Sequence, residues 1–254
     1  MLTNAKTIEG YKLLAQDGDI GTVKEFYFDD HHWTVRYLVA NTGNWLTGRQ
    51  VLISPYALID VNKKEQFIST SLTKKQIEES PSLESDKTVS QQFETDYYRY
   101  FGWPMYYYGP YMWGFSPYII RNQEKDKAFL HEKNAWDPHL RSTQTVSGYH
   151  IQTTDGELGH VEDFIIDEES WAIRYLIIDT QNWWPGKKVL VSPEWINRVS
   201  WGESKVFTNL SREVIKHSPE YMEESLLNRD YETELHRYYK HPEYWVHESN
   251  EHSL

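Results

Sequence analysis

Two arginines stand where a charge is hard to place. Arg36 and Arg174 lie inside "TVRYLV" and "AIRYLI", in the middle of runs of β-branched and aromatic residues. A guanidinium in such a run needs a counter-charge, because burying a lone cation is far more unfavourable than one strand's packing is favourable. Two chemistries meet that need: a carboxylate on the neighbouring strand, or a bound anion. If the hairpins turn at "DDHH" and "DEES", Arg36 falls opposite Glu25, and Arg174 opposite Asp163 or Glu162. A carboxylate partner for Arg174 is therefore expected. Arg141, in "HLRS", is a third cation able to hold an anion.

Tryptophans supply a second kind of chemistry. The stretches "NTGNWLTG" and "DTQNWWPG" place Trp45, Trp183 and Trp184 in loops. A loop tryptophan can anchor a protein partner, offering a large apolar area with little entropy to lose. Alternatively it folds back over the end of its own barrel, and Trp184 is the better anchor of the three. The 11 histidines invite a metal reading. Yet His236 and His241 are five apart, His31 and His32 adjoin in a turn, and none has a partner spaced as a ligand set requires. They are read as surface histidines, with no metal and no cofactor. No GxSxG, phosphate-binding loop or dinucleotide fingerprint occurs, so no enzyme is expected. A hydrolase built on His150 and a carboxylate is the weakest of the readings.

The elements that must carry these residues occur twice. Sliding the chain by 138 positions (Gly148 minus Gly10) lays "GYKLLAQDGDIGTVKEFYFDD" on "GYHIQTTDGELGHVEDFIIDE". The same shift lays "SLTKKQIEESP" on "NLSREVIKHSP" and "FETDYYRYFGWPMYY" on "YETELHRYYKHPEYW". A period this long marks duplicated domains rather than a solenoid. The predicted organisation is a first repeat with C-terminal helices over 1–108, an aromatic and polar segment over 109–147, and a second repeat with C-terminal helices over 148–254. What the copies share is mostly glycine, proline, aromatic and aliphatic, which are residues of a fold.

Within each copy a short strand closes at Asp17-Gly18 or Asp155-Gly156, a tight-turn signal. Val23 and Phe26 are three apart where strand alternation demands two, so a bulge is predicted near Lys24-Glu25, and likewise near Glu162-Asp163. The strand "WTVRYLVA" follows, then "RQVLISP", and then a hairpin of "LIDVN" with "QFISTS", matched by "INRVS" with "VFTNL". Six short strands per copy suit a closed antiparallel barrel. A capped helix follows, with Thr73 and Gln76 forming a capping box and Pro81 the stop; Ser211 and Pro219 repeat the arrangement. A longer helix is predicted to bury Val89, Phe93, Tyr97 and Tyr100, matched by Leu227, Tyr231, Leu235 and Tyr238. Residues 101–118, "FGWPMYYYGPYMWGFSPY", are too apolar for a free linker. They read as a structured belt, or else as a dimer or partner surface.

The chain resembles a tandem PRC-barrel protein. The resemblance rests on "DGELGHVEDF" and the looser "DGDIGTVKEF", on the phrase over residues 171–193, on "LSREVIKHSP", and on residues 137–151. That family is named for the cytoplasmic barrel of the photosynthetic reaction-centre H subunit, and a related barrel ends a ribosome-maturation factor. The first copy departs from the pattern at Asn41, Gly43, Leu46 and Thr47. The resemblance implies a mainly β fold with accessory α, made of two small antiparallel barrels each followed by helices. It also implies a scaffolding or docking role, without photosynthesis.

Composition narrows the partners. The net charge of −12 over 254 residues repels phosphate backbones, so nucleic acid is not expected, and the ribosomal use is disfavoured. No cysteine is present, and no apolar run is long enough to span a bilayer. A soluble, acidic, cytoplasmic protein is expected, with peripheral membrane association left open. The expected function is a non-enzymatic adaptor that docks a protein, with a homodimer among its arrangements. The alternative is a small-molecule or anion sensor, its ligand held between the barrels by Arg36, Arg141 or Arg174.

Overall fold

A computed structural model describes residues 1–84, 89–103, 140–180, 187–222 and 227–245, with backbone alone at 91 and 92. In chain order the strands are β1 (Leu2–Asn4), β2 (Lys12–Ala15), β3 (Gly18–Asp29), β4 (Thr34–Asn41), β5 (Arg49–Ile53), β6 (Leu58–Asn62), β7 (Phe67–Thr70) and β8 (Leu83–Glu84). There follow β9 (Leu140–Ser142), β10 (His150–Thr153), β11 (Gly156–Asp167), β12 (Ile173–Asp179), β13 (Lys188–Val191), β14 (Ile196–Ser200) and β15 (Lys205–Thr208). They form two units. The leading unit holds Ala5–Ser142 and Glu168–Ala172; the trailing unit holds Met1–Asn4, Thr143–Asp167 and Ile173–Leu254.

The leading sheet runs β6-β7-β2-β3-β4-β5-β8, with β9 added on β3. The trailing sheet runs β13-β12-β11-β10-β15-β14, with β1 added on β11. The order is the same, and both sheets are mainly antiparallel. The predicted closed, wholly antiparallel barrel needs two corrections. β2 pairs with β7, and β10 with β15, in parallel. Among the described residues no ladder joins β5 to β6. Instead the chain turns the corner through a single 3-10 turn, Pro55–Ala57, capped by Ser54; Pro193–Trp195, capped by Ser192, does the same. Proline has no N–H to donate, so the corner cannot continue a ladder.

Each unit also departs from the predicted boundaries. β3 is twelve residues long, but β2 pairs only with its first part, from Gly18 to Thr22. That leaves Tyr27, Phe28 and Asp29 as an open edge, and β9 fills it with Ser142, Arg141 and Leu140. In the trailing unit β1 fills the same gap on β11, pairing Leu2 with Asp167 and Asn4 with Ile165. The two added strands are equivalent in the repeat, 138 apart (Leu140 minus Leu2), and each has crossed into the other repeat's sheet. Glu168–Ala172, the turn between β11 and β12, likewise belongs to the leading unit: Val35 N donates to Trp171 O at 2.8 Å, and Lys63 Nζ lies 2.6 Å from Glu168 Oε1. Open strand edges are unstable in water, and this exchange covers both.

The remaining elements follow the local signals. The predicted bulge is present at Lys24 and at Glu162, where the register shifts. Gly21 and Gly159 sit against the neighbouring strand, where a Cβ would collide with the carbonyls of Asn41 and Asp179. Thr73 and Gln76 form the capping box of the helix Lys74–Glu79, and Asp17 Oδ1 accepts from Lys74 N at 2.7 Å. Ser211 caps Arg212–Lys216, with Asp155 in the role of Asp17 at 2.8 Å. A cation closes the far end of each helix. Arg49 donates to the carbonyls of Ile77 and Glu78, and Lys187 to those of Lys216 and Ser218.

A longer helix then packs on each sheet: Gln91–Phe101 in the leading unit and Arg229–Tyr239 in the trailing one. Its inner face differs from the predicted stripe. Tyr100 is 40% exposed, whereas Glu94, Tyr97 and Tyr98 are buried; in the trailing helix Glu232, Leu235, His236 and Tyr239 are buried. The predicted Val89, Tyr97 and Leu235 are buried, but the face is broader by one position, taking in Glu94, Tyr98, Glu232, His236 and Tyr239, and it leaves Tyr100 outside.

Candidate functional site

The arginines were expected opposite Glu25 and opposite Asp163 or Glu162. A second bulge overturns that register. Tyr27 pairs with Tyr37 and Phe28 with Val35, so Arg36 is the extra residue; Ile165 pairs with Tyr175 and Ile166 with Ile173, so Arg174 is. Bulging turns each side chain toward the far end of the preceding strand. Arg36 Nη2 meets Asp29 Oδ2 at 2.7 Å, and Arg174 Nη2 meets Asp167 Oδ2 at 2.9 Å. Arg174 thus has a carboxylate partner, though not one of the residues expected.

Asp29 holds more than the guanidinium. It also meets His32 Nδ1 at 2.7 Å and accepts from the backbone of His31 at 2.8 Å and His32 at 3.2 Å. Burial alone would raise its carboxyl, but the charges and hydrogen bonds of His32 and Arg36 outweigh burial and hold it well below the usual carboxylate range. Arg141, carried on the exchanged strand β9, is buried and pairs with Asp30. All three candidate arginines are tied to aspartates within their own unit.

Trp45 is half-buried, with the Lys74 ammonium 4.7 Å from its ring centroid. It lies back on its own unit rather than standing out as a free tip. Trp183 and Trp184 fall outside the described residues, as does all of the aromatic segment beyond residue 103. The segment's start packs into the core: Trp103 stacks on Phe101 at 4.5 Å and on Tyr56 at 5.8 Å.

The reading of the sequence missed a buried tyrosine–carboxylate pair in each unit. Tyr37 Oη donates to Glu94 Oε1 at 3.2 Å, and Tyr175 Oη to Glu232 Oε1 at 3.0 Å. The signal was present in "FETDYYRY" over "YETELHRY", where the glutamate is retained. Around Glu94 the helix adds tyrosines: Tyr97 Oη donates to Leu52 O at 2.8 Å, and Tyr98 Oη lies 3.4 Å from Ser54 Oγ. Burial pushes both of these hydroxyls above the ordinary phenol range, and that of Tyr27 up to about 12. They act as hydrogen-bonding groups, not as acids.

Around Glu232 the set is more varied. Tyr244 Oη donates to the same Oε1 at 2.8 Å, and Arg229 Nη1 lies 3.2 Å from Oε2. His236 Nε2 lies 3.0 Å from Tyr175 Oη. Read from sequence as a surface histidine, His236 is in fact fully buried, because it sits one turn after Glu232 on the inner face of its helix. Among the described residues no group of three or more histidines and carboxylates is placed to hold a metal ion. No helix there is long and apolar enough to cross a membrane.

Residues 4–76 and 142–215 each match the family model of the PRC-barrel domain, together more than half of the chain. The chain belongs to the PRC-barrel family. It is a tandem member, as its repeat implied. No curated protein matches it. The matched segments hold the bulges, the Arg36–Asp29 and Arg174–Asp167 pairs and the capped start of each short helix, while Arg141 falls just outside them. Both stop short of the longer helices and of the buried glutamates they carry.

Proposed function

We propose that this PRC-barrel protein is a non-enzymatic scaffold that docks a protein partner. One observation carries the reading: the groups best suited to chemistry are used inside the fold. Arg36, Arg141 and Arg174 are buried and face Asp29, Asp30 and Asp167, and the retained glutamates receive tyrosine hydroxyls. Such pairs fix strand and helix positions and leave the outer surface to vary with the partner. The anion-sensor alternative needed those guanidiniums for a ligand and has lost that support. The scaffold reading extends to an acidic cytoplasmic protein whose partner is a protein rather than a nucleic acid, consistent with the charge of −12.

The test is affinity capture with the full chain from native lysate at moderate salt, beside the Trp184→Ala variant. A protein enriched on the parent and lost from the variant supports docking through that loop. A chain that captures nothing yet gains melting temperature with inorganic phosphate, sulfate or a nucleotide overturns the scaffold reading.

A further inference from the structure

Within the leading unit, strand β4 meets the turn that the second repeat contributes. Thr34 forms an antiparallel bridge with Ala172, and Val35 N donates to Trp171 O at 2.8 Å. Thr34 and Ala172 are equivalent in the repeat (172 minus 34 is 138), so here the copies meet through the same residue. The exchanged strands obey the same relation. β9 sets Ser142, Arg141 and Leu140 against Tyr27, Phe28 and Asp29. β1 sets Asn4, Thr3 and Leu2 against Ile165, Ile166 and Asp167, which is the same register with the roles of the repeats reversed. A surface on which residue i meets j, and j meets i, is self-complementary, as in an isologous dimer.

Side chains close the contact. In the leading unit Arg141 pairs with Asp30, and Ser142 Oγ donates to Glu25. In the trailing unit Tyr221 Oη donates to Asn4 Oδ1 at 2.9 Å. The Trp171 ring lies 6.3 Å from that of Phe26, and both are buried. Trp33 and Trp171, one residue before the bridge, stand at φ of 53° and 58°, unfavourable for so bulky a side chain. Both copies retain that strain at the point where the two turns pair.

We propose that this surface is a dimer interface whose two halves now lie on one chain. Each repeat takes a copy of itself as its partner, and the segment between the repeats serves as a tether. None of the pairings named above involves residues 104–139. Taking the repeats apart would part Arg141 from the buried acid side of β3, uncover the Trp171 ring and bare the edges of β3 and β11. Stranding a buried charge and exposing strand edges are both unfavourable in water, so the association does not depend on covalent connection.

The experiment inserts a protease recognition sequence between Ile120 and Arg121 of the full chain and cuts the folded protein. On native size exclusion the cut chain elutes as one species of the parent's mass and resolves into two pieces only in denaturant. Two separate peaks without denaturant overturn the proposal. Arg141→Ala in the same chain loosens the cut complex at least tenfold on dilution, because Asp30 loses its cation; an unchanged complex overturns the assigned surface. If the site resists the protease or the variant does not fold, hydrogen exchange on the intact parent chain decides. Hydrogen-bonded amides of β1 and β9 protected to within about tenfold of those in β3 and β11 support the interface, and faster exchange overturns it.

Discussion

The two long helices answer the same problem with different side chains. Each sets a glutamate under the tyrosine hydroxyl of the central strand, Glu94 under Tyr37 and Glu232 under Tyr175. Around that constant bond the volumes have been exchanged. The leading unit has the small Ala57 at its 3-10 corner and fills the space with Tyr97, Tyr98 and Trp103. The trailing unit has Trp195 at the corner, with His236, Tyr239 and His241 against it and the smaller Leu235 in the place of Tyr97. Large and small have traded sides, as a close-packed interior tolerates when total volume is held. The polar bond is the constraint, and the rings around it are its adjustable packing.

That contrast can be broken at several points, beginning with the largest effect. Trp195→Ala removes a buried ring from the corner, and about 3–5 kcal/mol of unfolding stability should be lost in urea titration. Trp103→Ala removes a half-buried ring and should lose less; a greater loss there would reverse the assignment of which ring fills the core. Asp29→Asn takes the opposing charge from buried Arg36, and about 3–5 kcal/mol is expected. Asp167→Asn should lose less, because the Asp167 side chain is 16% exposed against 5% for Asp29. The same pair has a pH signature. The folded pKa of Asp29 lies below its unfolded value of about 3.9, so its contribution is present above that pH and fades on further acidification. Asp29→Asn should flatten that acid limb of the stability curve, and an unchanged limb would assign it to other acids. The smallest expected effect, about 1–3 kcal/mol each, is for Tyr37→Phe and Tyr175→Phe, which take one donor from a buried carboxylate. Urea midpoints unmoved by both would mean that the retained bond contributes only position.

How much of this could be read from residues alone depended on distance along the chain. The turns at Asp17-Gly18 and Asp155-Gly156, the bulges at Lys24 and Glu162, and the Thr73 capping box are local, and their spacing exposed them. The second bulge, at Arg36 and Arg174, was hidden because these arginines interrupt an otherwise unbroken β-branched run, leaving no parity change to notice. One slipped residue was enough to send each guanidinium to Asp29 or Asp167 instead of to the acids directly across. His236 was hidden for a different reason. A histidine inside "ELHRYY" looks solvated until the helix phase is set by Glu232, and that phase is set by Tyr175, 57 residues earlier. The exchange of β1 and β9 left no local trace, because three-residue strands carry no period.

That exchange bears on how the duplicated gene can be handled. A protease nick, a split reporter or a recombination event between the repeats would not yield two self-sufficient products. Each would carry a tripeptide that belongs in the other's sheet, and each would leave bare the backbone its missing tripeptide had covered. After fusion the repeats ceased to be interchangeable parts and became heritable only together.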